Sequence, residues 1–143
     1  MRAPYTQLYL HLVWATWDRL PLITFDIEDS LYAAIADKCR ELKCVPIAIG
    51  GIEEHVHLLV RFHTTVSVAT LAKEIKGSSS HLTTHVLRPM GFFKWQGSYG
   101  AFTIAKDDVP AVENYIRGQK EHHRQGRMIE DLETCEVYQE VED

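Results

Sequence analysis

The sequence predicts an α+β sandwich in which a mostly antiparallel sheet carries helices on one face. Apolar residues recur with a period of two in four segments and with a helical period in three others. The order is strand, helix, strand, strand, helix, strand, helix, and its two split β-α-β halves are typical of the ferredoxin-like arrangement. The length of 143 residues suits a single domain with a complete core.

The first half of the chain supplies a strand, a helix and a pair of strands. Residues 5–17 alternate aromatic, β-branched and leucine side chains, which predicts a long strand. Residues 27–42 have apolar side chains at helical spacing, and Asp26 is a plausible N-cap. Residues 45–52 and 55–62 form the next two strands, and the glycines and glutamates between them bend the chain.

The second half supplies two helices and a strand, followed by an acidic tail. The predicted elements are a helix over 66–75 that residues 77–80 end or bend, a short helix to Leu87, a strand over 99–105, and a helix to about Arg124 that Asp107 and Asp108 cap, with Pro110 in its first turn. Residues 1–124 are therefore predicted to be one domain, and residues 125–143 a tail.

Charge is distributed unevenly along the chain, whose formal net charge is −5. Residues 128–143 hold seven acids and no Lys or Arg, whereas residues 1–127 hold thirteen acids and all fifteen bases. Residues 61–127 alone carry ten bases and five acids. A mildly basic body is therefore joined to an acidic tail, and the body suits a polyanionic partner.

Several classes of protein are excluded or disfavoured. Cys39, Cys44 and Cys135 form no regular framework, so we expect free thiols rather than a disulfide scaffold. No apolar run approaches the roughly 20 residues of a membrane helix, and the start of the chain lacks the features of a signal peptide. The expected location is the cytoplasm. P-loop, dinucleotide-binding, nucleophile-elbow and HExxH motifs are missing from the sequence.

Two pairs of residues are candidates for chemistry. His55 and His57 are two apart on a predicted strand, so their imidazoles share one face and can hold a divalent cation. Tyr115 and Gln119 are four apart on the last helix and, with His122, edge its buried stripe, where they can face a cleft. The alternatives are polar residues on a solvated strand face, and a helix boundary of ordinary amphipathic residues.

Other residues suit a polyanion. Lys73 and Lys76 share a helix face, while Trp95 lies with Tyr99 in a glycine-containing loop beside Lys94. Aromatic rings next to cations are suited to stacking on unpaired bases. The last helix adds a basic shoulder, formed by Arg117, Lys120 and Arg124. Core aromatics and ordinary surface cations remain the alternative.

Five sequence blocks follow one another along the chain. They are His11-Leu12-Val13-Trp14, Glu54-His55-Val56-His57-Leu58-Leu59-Val60, Lys76-Gly77 with Ser79-Ser80, Trp95-Gln96 with Tyr99-Gly100-Ala101-Phe102, and the segment from Tyr115-Ile116 through Gln119 to His122-His123-Arg124. Taken in order, these blocks resemble the HUH single-tyrosine transposases of bacterial insertion sequences of the 200/605 type and their repeat-associated (REP) relatives. The resemblance covers roughly residues 5–124.

The resemblance implies an HUH-type fold and a role for each matching residue. His55 and His57 would be ligands of Mg²⁺ or Mn²⁺, Gln119 the third ligand, and Tyr115 the nucleophile. The implied activity is cleavage and rejoining of single-stranded, hairpin-flanked DNA through a 5′-phosphotyrosine and a free 3′-hydroxyl. The family's unit is a dimer in which the tyrosine helix can serve the partner's metal site, and the protein would be associated with the bacterial nucleoid when bound to DNA.

Two alternatives to this function remain open. One is a domesticated protein that binds hairpin or REP DNA without transposing it, and the other is an unrelated metal-binding α+β domain. The sequence also departs from the family pattern. Trp17 stands where many members have Lys or Arg, Glu54 replaces the usual Asp, and the C-terminal region is unusually acidic. These departures bear on substrate choice more than on the chemistry.

Overall fold

The computed structural model describes residues 1–137, and its centre is one four-stranded antiparallel sheet in the order β2-β3-β1-β4. The predicted α+β sandwich of ferredoxin-like type is confirmed. The elements are β1 (Tyr9–Ala15), α1 (Phe25–Glu41), β2 (Val45–Ile52), β3 (His55–Arg61), α2 (Val68–Leu82), β4 (Gly100–Ile104), α3 (Val109–Arg117), α4 (Gln119–Gln125) and α5 (Glu130–Glu133), with short turns of 3-10 helix at Trp17–Arg19 and Lys106–Asp108 and a π turn at Thr83–Leu87.

The main core lies between one face of the sheet and the helices α1 and α2. Alternate residues of the two central strands point into it, as the strand period requires. They pack against helix residues that recur at three- and four-residue spacing. The core includes Leu10, Leu12 and Trp14 of β1, Val56, Leu58 and Val60 of β3, Leu31, Ile35 and Cys39 of α1, and Leu71 and Ile75 of α2.

The helix α3 lies on the opposite face of the sheet, which differs from the prediction that the helices share one face. Val112 and Ile116 of α3 pack on Ala48 and Leu59. The physical reason is that β3 is buried on both faces, so both need a cover. Gly50 permits a close approach, because a Cβ there would lie 2.2 Å from the carbonyl oxygen of Ile116.

Several predicted boundaries of the first elements need correction. The first strand spans Tyr9–Ala15 rather than residues 5–17, because four residues at its start and two at its end lie outside the ladder. Asp26 is not the N-cap of α1. That position belongs to Thr24, whose hydroxyl hydrogen-bonds to Asp26 inside the first turn.

The two later helices also differ from the prediction. The helix α2 continues through residues 77–80, where a break was predicted, because serine side chains bond to carbonyls of the preceding turn; Ser79 Oγ donates to the oxygen of Ile75 at 2.6 Å. The final helix is divided at Gly118 into α3 and α4. Asp108 occupies the N-cap position of α3 but makes no capping hydrogen bond with its side chain.

The described part of the acidic C-terminal segment is folded against the sheet. Cys135 is buried beside Val13, Ala15 and Phe102, and its carbonyl accepts a hydrogen bond from Ser98 Oγ at 3.2 Å. The rest of the predicted tail, residues 138–143, lies outside the described residues. All three cysteines are free and buried. Within residues 1–137, no helix has the length and apolar character needed to cross a membrane.

Candidate metal and nucleophile site

The two histidines of β3 project from the face of the sheet that α3 covers. His55 and His57 are 1% and 0% exposed, and their ring centroids lie 5.0 Å apart. They share this face because positions two apart on a strand point the same way. The sequence-based placement of the pair on one face is therefore what the structure shows, but the face is buried rather than solvated.

Tyr115 of α3 and Gln119 of α4 lie on either side of Gly118 and both contact the histidine pair. Gln119 is buried, and its Oε1 lies 3.2 Å from Nε2 of His55 and 3.0 Å from Nε2 of His123. The ring of Tyr115 lies edge-on to His57, with centroids 6.0 Å apart. The structure thus brings together all four residues that were predicted to form the metal and nucleophile site.

The hydroxyl of Tyr115 makes two hydrogen bonds. It donates to Oε1 of Glu133 at 2.5 Å and accepts from the backbone N–H of Ile129 at 2.9 Å. Burial and the bond to Glu133 raise the pKa of Tyr115 above its usual value. The phenol therefore holds its proton at neutral pH in this state, and a reaction at its oxygen needs help from neighbouring groups.

Glu133 is a site residue that the sequence did not indicate. Its Oε2 lies 2.9 Å from Nε2 of His57 and 3.1 Å from Nε2 of His55. Burial raises the pKa of Glu133, but the hydrogen bonds of His55 and His57 outweigh it and hold the pKa well below its usual range. The carboxyl is therefore ionised. It belongs to a run of acids with no distinguishing motif, so only the tertiary structure reveals it.

His11 is a second unpredicted participant. Its Nε2 lies 2.8 Å from Nδ1 of His57, and its side chain is completely buried. Burial and the neighbouring His57 lower the pKa of His11 to about 3, so the imidazole is neutral. This contact leaves Nε2 of His57 directed toward Glu133. The only indication of His11 in the sequence is that it is a lone histidine on the same face of β1 as Val13.

The donor atoms have the spacing that a divalent cation needs. Adjacent ligands of an octahedral ion with bonds of about 2.1 Å lie about 3 Å apart. The contacts of Nε2 of His55 with Gln119 and Glu133, and of Nε2 of His57 with Glu133, are 3.2, 3.1 and 2.9 Å. Burial lowers the pKa of His57, which keeps its imidazole in the neutral form that a metal requires.

An open cleft of about 420 Å³ leads to these atoms. It is lined by Arg19, Glu54, His55, His123, Met128, Glu130 and Glu133. Arg19 lies in a left-handed turn with Asp18, at φ values of 51° and 54°, and its guanidinium bonds to Glu54 at 3.2 Å. A cation therefore lines the cleft two residues after Trp17.

Two of the predicted DNA-binding side chains are committed to the fold. Trp95 is 6% exposed, packs on Trp14 and Phe93, and donates its indole N–H to Ser79 Oγ at 3.1 Å. It is not available to stack on a base, and that expectation is corrected. Lys76 donates to the carbonyls of Gln96 and Ser98 at 2.7 and 3.1 Å, so its ammonium holds a loop.

The remaining candidates are on the surface. Lys73 is exposed on α2, and Nζ of Lys94 lies 3.8 Å from the ring centroid of Trp17, which is 40% exposed. This pair places an accessible aromatic beside a cation, the combination that was predicted for Trp95. The three cations of the last helices pair with acids: Arg117 with Glu113, Lys120 with Glu28, and Arg124 with Glu121.

Residues 4–119 match the model of the IS200-like transposases, and the chain belongs to this family. Two solved structures share its fold. One is a candidate transposase from Deinococcus radiodurans R1, with 24% identity over 83% of this chain and 95% of that one, at a TM-score of 0.65. The other is a REP-associated tyrosine transposase bound to a REP hairpin, with 18% identity over 90% and 74%, at a TM-score of 0.62. No curated protein sequence matches significantly.

Proposed function

We propose that this member of the transposase family cleaves and rejoins single-stranded DNA with Tyr115 as the nucleophile and a divalent cation as cofactor. The observation that carries the proposal is the meeting of Tyr115 with His55, His57 and Gln119 in one buried site. A tyrosine beside a set of metal donors is what phosphodiester cleavage through a covalent intermediate requires.

His55, His57 and Gln119 would hold the cation through Nε2, Nε2 and Oε1. When bound there, Mg²⁺ or Mn²⁺ supplies positive charge that polarises and orients the scissile phosphate. The oxygen of Tyr115 attacks phosphorus and loses its proton, the bond to the 3′ oxygen breaks, and that oxygen gains a proton. The products are a 5′-phosphotyrosine and a free 3′-hydroxyl. A second 3′-hydroxyl reverses the step and joins new ends.

Hairpin-flanked single-stranded DNA is the substrate we propose. The related REP-associated transposase is bound to a REP hairpin, and residues 61–127 of this chain carry a balance of five positive charges. Trp17 with Lys94 offers a place for an unpaired base, and Lys73 adds an exposed cation. Arg117, Lys120 and Arg124 are exposed as well, although each is paired with an acid. Such a substrate places the protein with the bacterial nucleoid in the cytoplasm.

We propose that the protein forms a homodimer, as the family resemblance implies. The strand β1 lies inside the sheet, so it is not available to pair with a second copy. Pairing between copies would use β2 or β4, which form the two edges. Within the single chain, Tyr115 lies beside His57, so the four groups of the proposed site are close together in one copy.

The deciding experiment replaces the nucleophile alone. Tyr115→Phe removes the oxygen but keeps the ring against His57 and His122. We expect wild-type protein with Mn²⁺ to form a covalent adduct with labelled single-stranded hairpin DNA on a denaturing gel, and Tyr115→Phe to form none while still binding the DNA. Tyr99→Phe and Tyr138→Phe, which lies outside the described residues, are the controls and should retain the adduct.

The other results separate the alternatives. If the covalent band survives in Tyr115→Phe and is lost in a control variant, Tyr115 is not the nucleophile. Cleavage that no tyrosine variant affects indicates a metal nuclease with water as the attacking group. Hairpin binding by the wild type without an adduct, under any divalent cation, supports a domesticated DNA-binding protein instead.

A further inference from the structure

We infer that Glu133 has two functions in the site: its Oε2 is a ligand of the cation, and its Oε1 positions the hydroxyl of Tyr115. This inference rests on the proposed function. It concerns a residue beyond residues 4–119, the part of the chain that matches the family model. It assigns a role to a segment whose composition alone suggested an acidic tail.

The position of Oε2 supports the ligand role. It lies 2.9 Å from His57 Nε2 and 3.1 Å from His55 Nε2, close to the spacing of about 3 Å between adjacent ligands of an octahedral ion. The three residues form a group whose donor atoms all lie within 4.8 Å of one another. The carboxylate therefore already lies among the donors at coordination spacing.

The chemistry of the donors points the same way. Mg²⁺ and Mn²⁺ prefer carboxylate and carbonyl oxygens to imidazole nitrogens. His55, His57 and Gln119 supply only one oxygen and no charge. Glu133 adds a carboxylate oxygen, and its Oε2 lies beside both imidazoles. A set of two imidazoles, one amide and one carboxylate therefore binds such a cation better than the three neutral groups alone.

The other carboxylate oxygen supports the positioning role. Oε1 accepts the hydroxyl proton of Tyr115 at 2.5 Å while Oε2 points to the histidines. The backbone N–H of Ile129 donates to the same hydroxyl at 2.9 Å. Two hydrogen bonds from one short segment thus restrict the rotation of the phenol O–H. A nucleophile held in one orientation beside the cation gains rate because less freedom is lost at reaction.

The segment that carries Glu133 is attached on both sides of the residue. On one side is the contact of Ile129 with Tyr115. On the other side Cys135 is buried, accepts a hydrogen bond from Ser98, and lies within reach of the Arg19 guanidinium through its sulfur. Packing of the flanking residues therefore holds Glu133 in the site.

Titration calorimetry of metal-free, full-length protein with Mn²⁺ tests the ligand role. Glu133→Gln keeps the size of the side chain but removes the charge, and we expect its affinity to fall about tenfold or more. Glu133→Ala should lose at least as much. Glu130→Gln is the matched control: it lies on α5, lines the same cleft and belongs to the same acidic run, and it should bind like the wild type. His57→Ala should abolish binding.

The outcomes separate this inference from the proposed function. If both Glu133 variants bind Mn²⁺ as tightly as the wild type or more tightly, the cation displaces the carboxylate when it binds, and the ligand role is wrong. If His57→Ala also binds like the wild type, the metal centre itself is misplaced and the proposed function fails with it. Loss in His57→Ala and in both Glu133 variants, with Glu130→Gln unchanged, supports both.

Adduct formation at saturating Mn²⁺ tests the positioning role separately. Under that condition the difference in metal affinity no longer matters, so a slower single-turnover rate reports on Tyr115. We expect Glu133→Ala to form the phosphotyrosine at least about tenfold more slowly, with unchanged affinity for hairpin DNA. A wild-type rate at saturating Mn²⁺ in Glu133→Ala would rule out positioning by Oε1, whatever its effect on affinity.

Discussion

At the scale of single residues, the orientation of His57 depends on His11. For Nε2 of His57 to offer its lone pair to a metal, its proton must lie on Nδ1, where Nε2 of His11 is 2.8 Å away. A neutral His11 is the acceptor that this tautomer needs, and its pKa of about 3 keeps it neutral. The contact is fully buried, so water does not substitute for either partner.

Replacing His11 by Leu should weaken Mn²⁺ binding by about 10- to 100-fold, since partners that orient a ligand are worth this much. Leu fits the buried position without adding a polar group, so the thermal unfolding temperature should not collapse. His11→Gln places a polar atom near the former Nε2 and should recover part of the affinity. Calorimetry with Mn²⁺ gives the answer, and an unchanged affinity in His11→Leu would exclude the orienting role.

The sequence predicts some site residues well and others not at all. Local spacing pairs His55 with His57 and Tyr115 with Gln119, because positions two apart on a strand and four apart on a helix share a face. Their roles as ligands and nucleophile come from the family resemblance. His11 and Glu133 reach the site only through strand register and chain folding, which no local spacing encodes. Trp95 was misassigned because a tryptophan in a loop gives no indication of whether its ring packs inward.

At the scale of elements, the strand β4 and the segment around α5 depend on a close approach at Gly100. A Cβ on Gly100 would lie 2.0 Å from the carbonyl oxygen of Thr134 and 2.9 Å from a methyl of Val13. The first of these atoms belongs to backbone, which cannot rotate away. The glycine therefore permits the contact that places the neighbouring Glu133 beside the histidines.

Gly100→Ala should displace the Thr134 segment and weaken Mn²⁺ binding in the same direction as Glu133→Ala. Both changes act on the Glu133 carboxylate at the histidines. The double variant should therefore lose much less Mn²⁺ affinity than the sum of the two single losses. Gly77→Ala is the control. A Cβ there meets nothing within 4 Å on α2, so this change should leave the affinity intact and stabilise the helix by up to about 1 kcal/mol. Fully additive losses would show that Gly100 acts elsewhere.

Element types were more predictable than element ends. The periods of two and of 3.6 indicate strands and helices directly, and β2 and β3 fall within a residue of their predicted bounds. The course of α2 through its serine-rich stretch was not predictable from propensity. The hydroxyls of Ser79 and Thr83 donate to carbonyl oxygens four residues earlier. Residue types that often end a helix therefore form hydrogen bonds with the helix backbone here.

At the scale of the whole molecule, the sheet separates two environments. One face meets α1 and α2 in an apolar core, whereas the other meets α3 and carries a row of buried histidines. Burying His11 and His57 as neutral groups links stability to pH. Burial lowers the pKa of both, and the pKa of His11 is about 3 against an ordinary value of 6.5.

The sign of that linkage follows from proton counts. Between about pH 6.5 and 3 the unfolded chain binds a proton at this histidine and the folded chain does not, so acid favours unfolding. The contribution of His11 to the free energy of unfolding is fully present above about pH 6.5 and is lost as the pH falls toward 3. The charge of Glu133 opposes the shift of His11 and that of His57 reinforces it. Because the pKa of Glu133 is lowered from 4.5, its own contribution is lost only below about that pH.

Urea unfolding of metal-free protein between pH 7 and 5 should therefore show a falling free energy of unfolding, by up to about 1.4 kcal/mol per pH unit for each buried neutral histidine. A chelator keeps bound metal from adding its own pH dependence. His11→Leu should give a shallower slope, because one of these groups is gone. His63→Gln, which removes an exposed histidine, should keep the wild-type slope. If the free energy of unfolding of the wild type stays constant or rises on acidification, His11 and His57 are charged in the folded protein. The hydrogen bond between two neutral rings would then be wrong.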